Sequence, residues 1–173
     1  MKKLFFLLAI CLCVLAVSSA WAQGLPDTGQ TKCYDNDVEI TCPQPGEAFY
    51  GQDAEYVKAR SYTDLGNGII QDNVTGLMWQ KATAPGTYTW QQALDYCANL
   101  ELGPYSDWRL PAVNELSTLV DSNIPSPGPT INTNYFPDTV ASGGYYWSST
   151  SIANDTNFVC SRGLLHRPRL RRQ

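Results

Sequence analysis

Three motifs centred on tryptophan constrain the fold of this chain more than any other feature of its sequence. In chain order they are Leu77-Met78-Trp79, Trp108-Arg109-Leu110 and Tyr146-Trp147-Ser148. Large aromatic side chains within patterned apolar segments are typically buried. We therefore expect a single folded domain organised around these segments, with Trp79 and Trp90 inside its core.

Turn signals ahead of the first motif predict a β-hairpin at the start of this domain. Asn67-Gly68 is typical of a type I′ turn, and Ile69-Ile70 follow it as an apolar strand. A second turn over 73–76 precedes Leu77-Met78-Trp79. The segment therefore reads as consecutive antiparallel strands.

Two helices are predicted after the hairpin. Thr89 is followed three residues later by Gln92, the spacing of a capping box, and apolar residues recur at helical spacing from 90 to about 101. Pro111, a residue favoured at the first helical position, predicts a second helix that ends near 121. Tyr145 to Thr150 predicts a later aromatic strand. The fold class expected is α+β, with two helices packed on an antiparallel sheet and long loops.

The N-terminal 22 residues have the pattern of a cleavable signal peptide. Met1-Lys2-Lys3 is basic, Leu4 to Val17 is an apolar run of 14 residues, and Ala20-Trp21-Ala22 places small residues where signal peptidase reads. A membrane anchor is the alternative, but the run is shorter than the roughly 20 residues that span a bilayer. We expect cleavage after Ala22 and a periplasmic or secreted protein with no membrane span after that removal.

The cysteines fit an oxidising compartment. With residues 1–22 removed, four cysteines remain: Cys33, Cys42, Cys97 and Cys160. We predict a Cys33–Cys42 disulfide inside a Pro- and Gly-rich leader over 23–58, since disulfides are the default in exported proteins and this spacing is not that of a zinc site. The sequence leaves open whether Cys97 and Cys160 form a second disulfide.

The charge of the chain is distributed unevenly. From Gln23 to Cys160 there are five Lys or Arg against 16 Asp or Glu, a net charge of −11, whereas 161–173 holds five Arg and no acidic residue. An acidic body repels phosphates and anionic lipid surfaces. We therefore expect no nucleic-acid partner.

The motifs together resemble the Lcl C-terminal domain family, which is named for the C-terminal domain of a bacterial collagen-like adhesin. The resemblance covers roughly 61–155 and implies a fold similar to C-type lectins and to the formylglycine-generating enzyme. It rests on five motifs in order: Asp72-Asn73-x-Thr75-Gly76-Leu77-Met78-Trp79; Trp90-x-x-Ala93-Leu94-x-x-Cys97; Trp108-Arg109-Leu110-Pro111 with Asn114-Glu115-Leu116; Ile131-Asn132 before Tyr135-Phe136-Pro137; and Tyr146-Trp147-Ser148-Ser149-Thr150.

The chain departs from that family after about Phe158. The family's domains continue through further strands, the last of which returns to the first, whereas 161–173 shows no strand alternation and no aromatic residue. We assign the domain to 59–158 and a basic, irregular tail to 159–173, with the closing strands missing. A frameshift or truncated gene is our interpretation, and a native basic arm is the alternative. An opening strand without its partner would leave an unpaired edge.

The residues needed for most catalytic chemistry are scarce. The only histidine is His166, in the tail, which leaves no histidine base for a nucleophile in the body and too few ligands for catalytic zinc. A calcium site of the lectin type is not supported, because Trp147-Ser148-Ser149 offers hydroxyls and no carboxylate. We expect no enzyme activity, no metal and no cofactor.

Arg109 is the only cation between Lys81 and Arg162. We interpret it as the centre of a structural ion pair with one of five nearby acids. A catalytic use of acids such as Asp107 and Glu115 is the weaker alternative. The acids are Asp95, Glu101, Asp107, Glu115 and Asp121.

Binding through surface loops is the function that these observations favour. The long loop over 122–144 ends near aromatic and amide residues suited to glycans or surface proteins. Our candidate ligand-binding residues are Asn132, Asn134, Tyr135 and Tyr145; our candidate structural-motif residues are Trp79, Trp108, Arg109, Glu115, Trp147 and Ser148. The predicted function is a non-catalytic recognition or adhesion module, and the alternative is a structural or assembly component of the bacterial envelope.

Overall fold

The structure, a computed structural model, describes residues 9–10, 13–15, 28–56, 59–125, 127–140, 145–152 and 155–163. For 9–10, 15, 152 and 155–163 it describes the backbone alone. Residues 164–173, most of the predicted basic tail, lie outside the described residues, as does most of the predicted signal peptide.

A hairpin opens the domain, as the turn signals predict. Strands β5 (Tyr62–Gly66) and β6 (Ile69–Asp72) pair antiparallel. Asn67 and Gly68 between them have φ of 52° and 78°, the left-handed values that a type I′ turn requires at both central residues. Strand β7 (Met78–Gln80) then pairs antiparallel with β6.

The turn between β6 and β7 is organised by the buried carboxylate of Asp72. Its Oδ1 accepts hydrogen bonds from the backbone N–H groups of Val74 at 2.9 Å and Thr75 at 3.3 Å, and its Oδ2 accepts one from the Thr75 hydroxyl at 2.8 Å. Asp72 is only 2% exposed. A buried carboxylate is stable when its oxygens are saturated in this way, so this acid fixes where the chain reverses.

Helix α1 (Trp90–Ala98) begins at the predicted capping box. The Thr89 hydroxyl accepts the Gln92 N–H, and the Gln92 side-chain carbonyl accepts the Thr89 N–H. The helix ends before the predicted position near 101. Leu100 N–H bonds to the Cys97 carbonyl rather than four residues back, which tightens the last turn.

Helix α2 (Val113–Thr118) is shorter than predicted. Pro111 is not its first residue: the N-cap is Ala112, in an extended conformation. Glu115 Oε2 accepts the Ala112 N–H at 2.7 Å, which satisfies one of the donors exposed at the start of the helix. Capping by this carboxylate thus sets the helix start two residues beyond the proline.

A second sheet follows the long loop. Strand β8 (Tyr145–Ile152) pairs antiparallel with β9 (Asp155–Gly163). The expectation that regular structure stops near Phe158 is therefore wrong. Backbone pairing with β8 carries β9 to Gly163, since ladder hydrogen bonds do not require an alternating side-chain pattern.

Two short segments of the predicted signal peptide pair with these sheets. Strand β1 (Ala9–Ile10) runs parallel to β8, and β2 (Val14–Leu15) runs antiparallel to β7. The sheet orders are β1-β8-β9 and β2-β7-β6-β5. Cys13 forms a disulfide with Cys97. Removal of these residues by signal peptidase stays a prediction.

The Pro- and Gly-rich leader is cross-linked, as predicted, by the Cys33–Cys42 disulfide. The disulfide joins Cys33, in β3 (Cys33–Tyr34), to Cys42, which lies two residues beyond β4 (Glu39–Ile40). The two strands pair antiparallel, and a 3₁₀ turn over Asp53–Glu55 follows them. The Ser122 N–H bonds to the Thr28 carbonyl at 2.7 Å, so the start of the described leader contacts the domain.

The β2-β7-β6-β5 sheet has an apolar core on each face. Ile69 and Met78 pack in one cluster with Ala93 and Cys97 of α1. Ile70 and Trp79, the next residue along each strand, pack in the other with Leu116 of α2 and with Leu119, which follows the end of that helix. Successive strand residues point to opposite faces, so the two helices cover opposite sides. Among the described residues the fold is thus α+β, with two α-helices and with strands that pair antiparallel except for β1 and β8. None of the described helices is long and apolar enough to cross a membrane.

Candidate binding site along helix α1

A groove of about 580 Å³ runs along the outer side of α1 and the loop before it. We call it the α1 groove. Its walls combine two tyrosines with carboxylate and amide side chains, and no Lys, Arg or His is among them. The lining residues are Pro85, Gly86, Thr87, Tyr88, Gln92, Asp95, Tyr96, Asn99, Leu100 and Glu101.

The two tyrosines of the groove are held in place by hydrogen bonds. Their ring centroids lie 5.3 Å apart with the planes tilted by 54°. The Tyr88 hydroxyl donates to the Pro85 carbonyl at 2.9 Å, and the Tyr96 hydroxyl accepts from Gln80 Nε2 at 2.9 Å. The Tyr88 carbonyl also accepts from Trp147 Nε1 at 2.8 Å. The aromatic part of the groove is therefore preorganised by the core beneath it.

The polar groups of the groove come from one face of the helix and its C-terminal end. Asp95 accepts from Gln91 Nε2 at 2.9 Å, and the Asn99 amide donates to the Asp95 carbonyl at 2.7 Å. Asp95, Asn99 and Glu101 are all exposed. Aromatic faces beside carboxylate and amide groups suit a ligand that has C–H surfaces and many hydroxyl donors.

Most of the loop residues predicted to bind ligand make hydrogen bonds or ring contacts with other residues of the protein. Asn132 Oδ1 accepts the Asn134 N–H at 3.1 Å, and the Asn132 carbonyl accepts the backbone N–H groups of Tyr135 and Phe136. The Tyr135 ring packs 5.3 Å from the Tyr62 ring. Asn134 is exposed, and Tyr145 is 44% exposed at the start of β8. None of the four lines the α1 groove.

The tryptophan motifs lie inside the domain. Trp79 and Ser148 are fully buried, and Trp108 and Trp147 are buried. The partly buried Trp90 donates from Nε1 to the Ser148 carbonyl at 2.9 Å, which ties α1 to β8. Trp147 and Trp90 thus hold Tyr88 and α1 in place, Trp79 packs on the α2 side of the sheet, and none of the tryptophans lines the groove.

Glu115 is the acid that pairs with Arg109. Two parallel hydrogen bonds join them, Nη1 to Oε2 at 2.8 Å and Nη2 to Oε1 at 2.6 Å. Burial raises the pKa of Glu115, but the hydrogen bonds from Arg109 and from the Ala112 N–H outweigh it, and the pKa lies below its usual range. Both oxygens of this carboxylate thus stabilise the entry to α2.

The α1 groove was not predicted from the sequence, although a signal for it exists. Gln92, Asp95 and Asn99 recur at helical spacing on the side opposite the buried Ala93 and Cys97, and Tyr96 lies between that side and the core. A polar helix face is usually only solvated, so this pattern indicates a site only once Tyr88 is known to lie beside it. Across the described residues, no group of three or more His, Cys, Asp or Glu side chains is arranged to hold a metal ion.

Comparison with known proteins supports the resemblance. The sequence model of the Lcl C-terminal domain matches residues 68–163, which is more than half of the chain. No curated protein and no solved structure matches the chain, so the likeness to C-type lectins stays a prediction. The match starts within the opening hairpin and ends with β9, so it includes both helices and the α1 groove. The chain therefore belongs to the Lcl C-terminal domain family.

Proposed function

We propose that this chain is an exported, non-catalytic recognition module that binds uncharged glycans in the α1 groove. The observation that carries the proposal is the composition of that groove: the Tyr88–Tyr96 pair beside acidic and amide side chains, with no cation in the lining. Tyrosine faces pack against the C–H surface of a sugar ring, and the carboxylates and amides accept and donate hydrogen bonds to its hydroxyls.

The charge of the groove narrows the class of glycan. Asp95 and Glu101 both line it, and the body of the chain is strongly acidic. Like charges placed at an interface disfavour binding. Sialylated, sulfated or uronic-acid glycans should therefore bind more weakly than uncharged ones.

The export part of the proposal rests on the N-terminal pattern and on the disulfides. The Cys33–Cys42 bond is of the kind that persists in the periplasm or outside the cell.

The non-catalytic part of the proposal rests on the scarcity of catalytic groups. Glu115 is one of the acids considered for acid/base catalysis, and both of its carboxylate oxygens accept hydrogen bonds from Arg109.

A glycan array followed by titration of the best ligand tests the proposal. The protein exported from the full-length gene is used throughout. Glu101→Ala and Asn99→Ala remove exposed groove groups and should weaken binding about tenfold each, the equivalent of about 1.4 kcal/mol. Asp107→Ala and Asn134→Ala are matched controls, an exposed acid and an exposed amide outside the groove, and should leave binding unchanged.

Two results would overturn the proposal. Loss of binding in Asn134→Ala, with Glu101→Ala unaffected, would move the site to the loop over 122–144. Turnover of a bound glycan that disappears in folded Glu115→Gln would make the protein an enzyme.

A component of the bacterial envelope is the second candidate, and one observation favours it. Strand β5 is the last strand of its sheet among the described residues, and four of its five residues are exposed. A strand in this position can pair with another chain. An empty glycan array together with a specific cross-link from β5 to one envelope protein would favour this candidate over the first.

A further inference from the structure

Strand β2 occupies an inner position of the fold and not a free edge. On one side it pairs with β7, where Val14 lies opposite Trp79 and the Gln80 N–H donates to the Cys13 carbonyl at 3.1 Å. On the other side Val14 exchanges two hydrogen bonds with Arg109, N–H to carbonyl at 2.9 Å and carbonyl to N–H at 3.0 Å. The strand is therefore bonded along both of its edges.

The side chains of this segment reach both cores. Val14 is completely buried in the cluster that contains Trp79 and Leu116, and Cys13 is completely buried in the cluster that contains Met78 and Trp108. We call the space that Cys13–Val14 fills, between β7 and Arg109, the β2 slot. Its contacts define the occupant it accepts: an extended segment with a small side chain towards α1 and a branched aliphatic side chain towards α2.

Removal of the leader would open this slot. The bond after Ala22 is the expected cleavage site, so a chain cut there before the Cys13–Cys97 disulfide forms would lack residues 13–15. Three backbone groups that bond to β2 would then face a channel between two apolar surfaces. They are the N–H groups of Gln80 and Arg109 and the carbonyl of Arg109. Unpaired backbone groups in buried positions cost free energy comparable to a lost hydrogen bond, so the open slot favours a new strand.

We infer that in the exported protein the β2 slot accepts an extended apolar strand from another polypeptide, which completes the sheet by β-strand addition. This inference rests on the proposed export and leader removal. Within residues 23–173, the segments outside the described residues do not match the slot. They contain no run of three apolar residues, and the longest of them is rich in arginine. The same segments in a second copy have the same composition, so they do not match it either.

The test uses processed protein and synthetic peptides. The protein is exported from the full-length gene, and its intact mass gives the N-terminus. The probe peptide spans residues 9–18, with Cys11→Ala and Cys13→Ala to prevent a disulfide and flanking lysines for solubility. The control peptide adds Val14→Pro, which removes the N–H that donates to Arg109. The readouts are binding affinity by tryptophan fluorescence and hydrogen exchange at the Gln80 and Arg109 amides.

The expected result is a mass that begins at Gln23 and saturable one-to-one binding. The peptide should slow exchange at both amides, and the Val14→Pro peptide should bind about tenfold more weakly, because one backbone hydrogen bond and its strand geometry are lost. The protein is the same in both arms, so misfolding of a variant does not enter the comparison.

Four outcomes would overturn the inference. They are a mass that retains residues 1–22, equal binding of the two peptides, no binding, and slow exchange at Gln80 and Arg109 in the processed protein before any peptide is added. In the last case a monomer would show that the chain fills its own slot, and a dimer would show that a second copy does. The α1 groove is probed separately by glycan binding, so failure of either proposal is distinguishable from failure of the other.

Discussion

The buried carboxylate of Asp72 should be worth more to the stability of this domain than any exposed acid. Asp72→Ala removes three hydrogen bonds to a charged acceptor, from the N–H groups of Val74 and Thr75 and from the Thr75 hydroxyl. Hydrogen bonds to charged groups contribute about 1.5–3 kcal/mol each and are not additive within one group. The substitution also leaves the N–H of buried Val74 without its acceptor.

We expect Asp72→Ala to lower the free energy of unfolding by about 2–4 kcal/mol, with a fall in Tm on the order of 10 °C. Asp72→Asn keeps an oxygen that accepts from both N–H groups, so it should cost about 1 kcal/mol. The backbone hydrogen bonds of Asp72 with Leu77 and Gly76, each 2.8 Å, do not depend on the side chain and remain in both variants.

Urea denaturation followed by tryptophan fluorescence measures these differences, since Trp79 is fully buried in the core beside this turn. The matched control is Asp107→Ala, which removes an exposed acid and should change the free energy of unfolding by less than about 0.5 kcal/mol. If Asp72→Ala costs no more than Asp107→Ala, the turn is not held by this carboxylate and the reasoning is refuted.

Three further predictions concern the start of α1, the ion pair and the leader. Thr89→Ala removes the α1 cap and should cost about 1 kcal/mol of unfolding free energy in urea denaturation. Folding lowers the pKa of the Glu115 carboxyl. The stabilisation of the folded domain by this ionised group is therefore present above the ordinary pKa of 4.5 and is lost as the pH falls below that value. Glu115→Gln keeps a weaker contact with Arg109 and should reduce the dependence of stability on pH in this acid range. Gly29 has a φ of 86°, and a side chain there would collide with the Asp121 carboxylate, so Gly29→Ala should expose the leader to limited proteolysis while the Tm of the domain is unchanged.

Each of these predictions has its own control. Thr89→Ser keeps the capping hydroxyl and should retain most of the stability. Arg109→Lys keeps one positive charge but loses the paired hydrogen bonds, so it should weaken the acid dependence less than Glu115→Gln does. Gly46→Ala is the control for the leader, because Gly46 also has a positive φ but a side chain there meets open space. Equal proteolysis of the Gly29 and Gly46 variants would contradict the proposed contact with Asp121.

The hairpin, the start of α1 and the Cys33–Cys42 disulfide were predictable because each depends on residues close together in the sequence. Asn67-Gly68 sets two left-handed φ values, and Thr89 reaches the backbone only three residues away. Local geometry decides such features without reference to the rest of the chain. The extent of β9 was not predictable in this way, because it depends on backbone pairing with β8 and the side chains of β9 show no alternating strand pattern.

The sequence by itself determined the membership of a family, the α+β class and the acidic charge, because each is carried by residue types in a fixed order. Tertiary structure decided which distant groups meet: Tyr88 beside Tyr96 over Trp147, Cys13 beside Cys97, and β2 between β7 and Arg109. These contacts join residues from different elements, and whether they form depends on how the sheet packs between the two helices. A binding groove or a strand slot is a property of that packing, so no single segment of the sequence contains it.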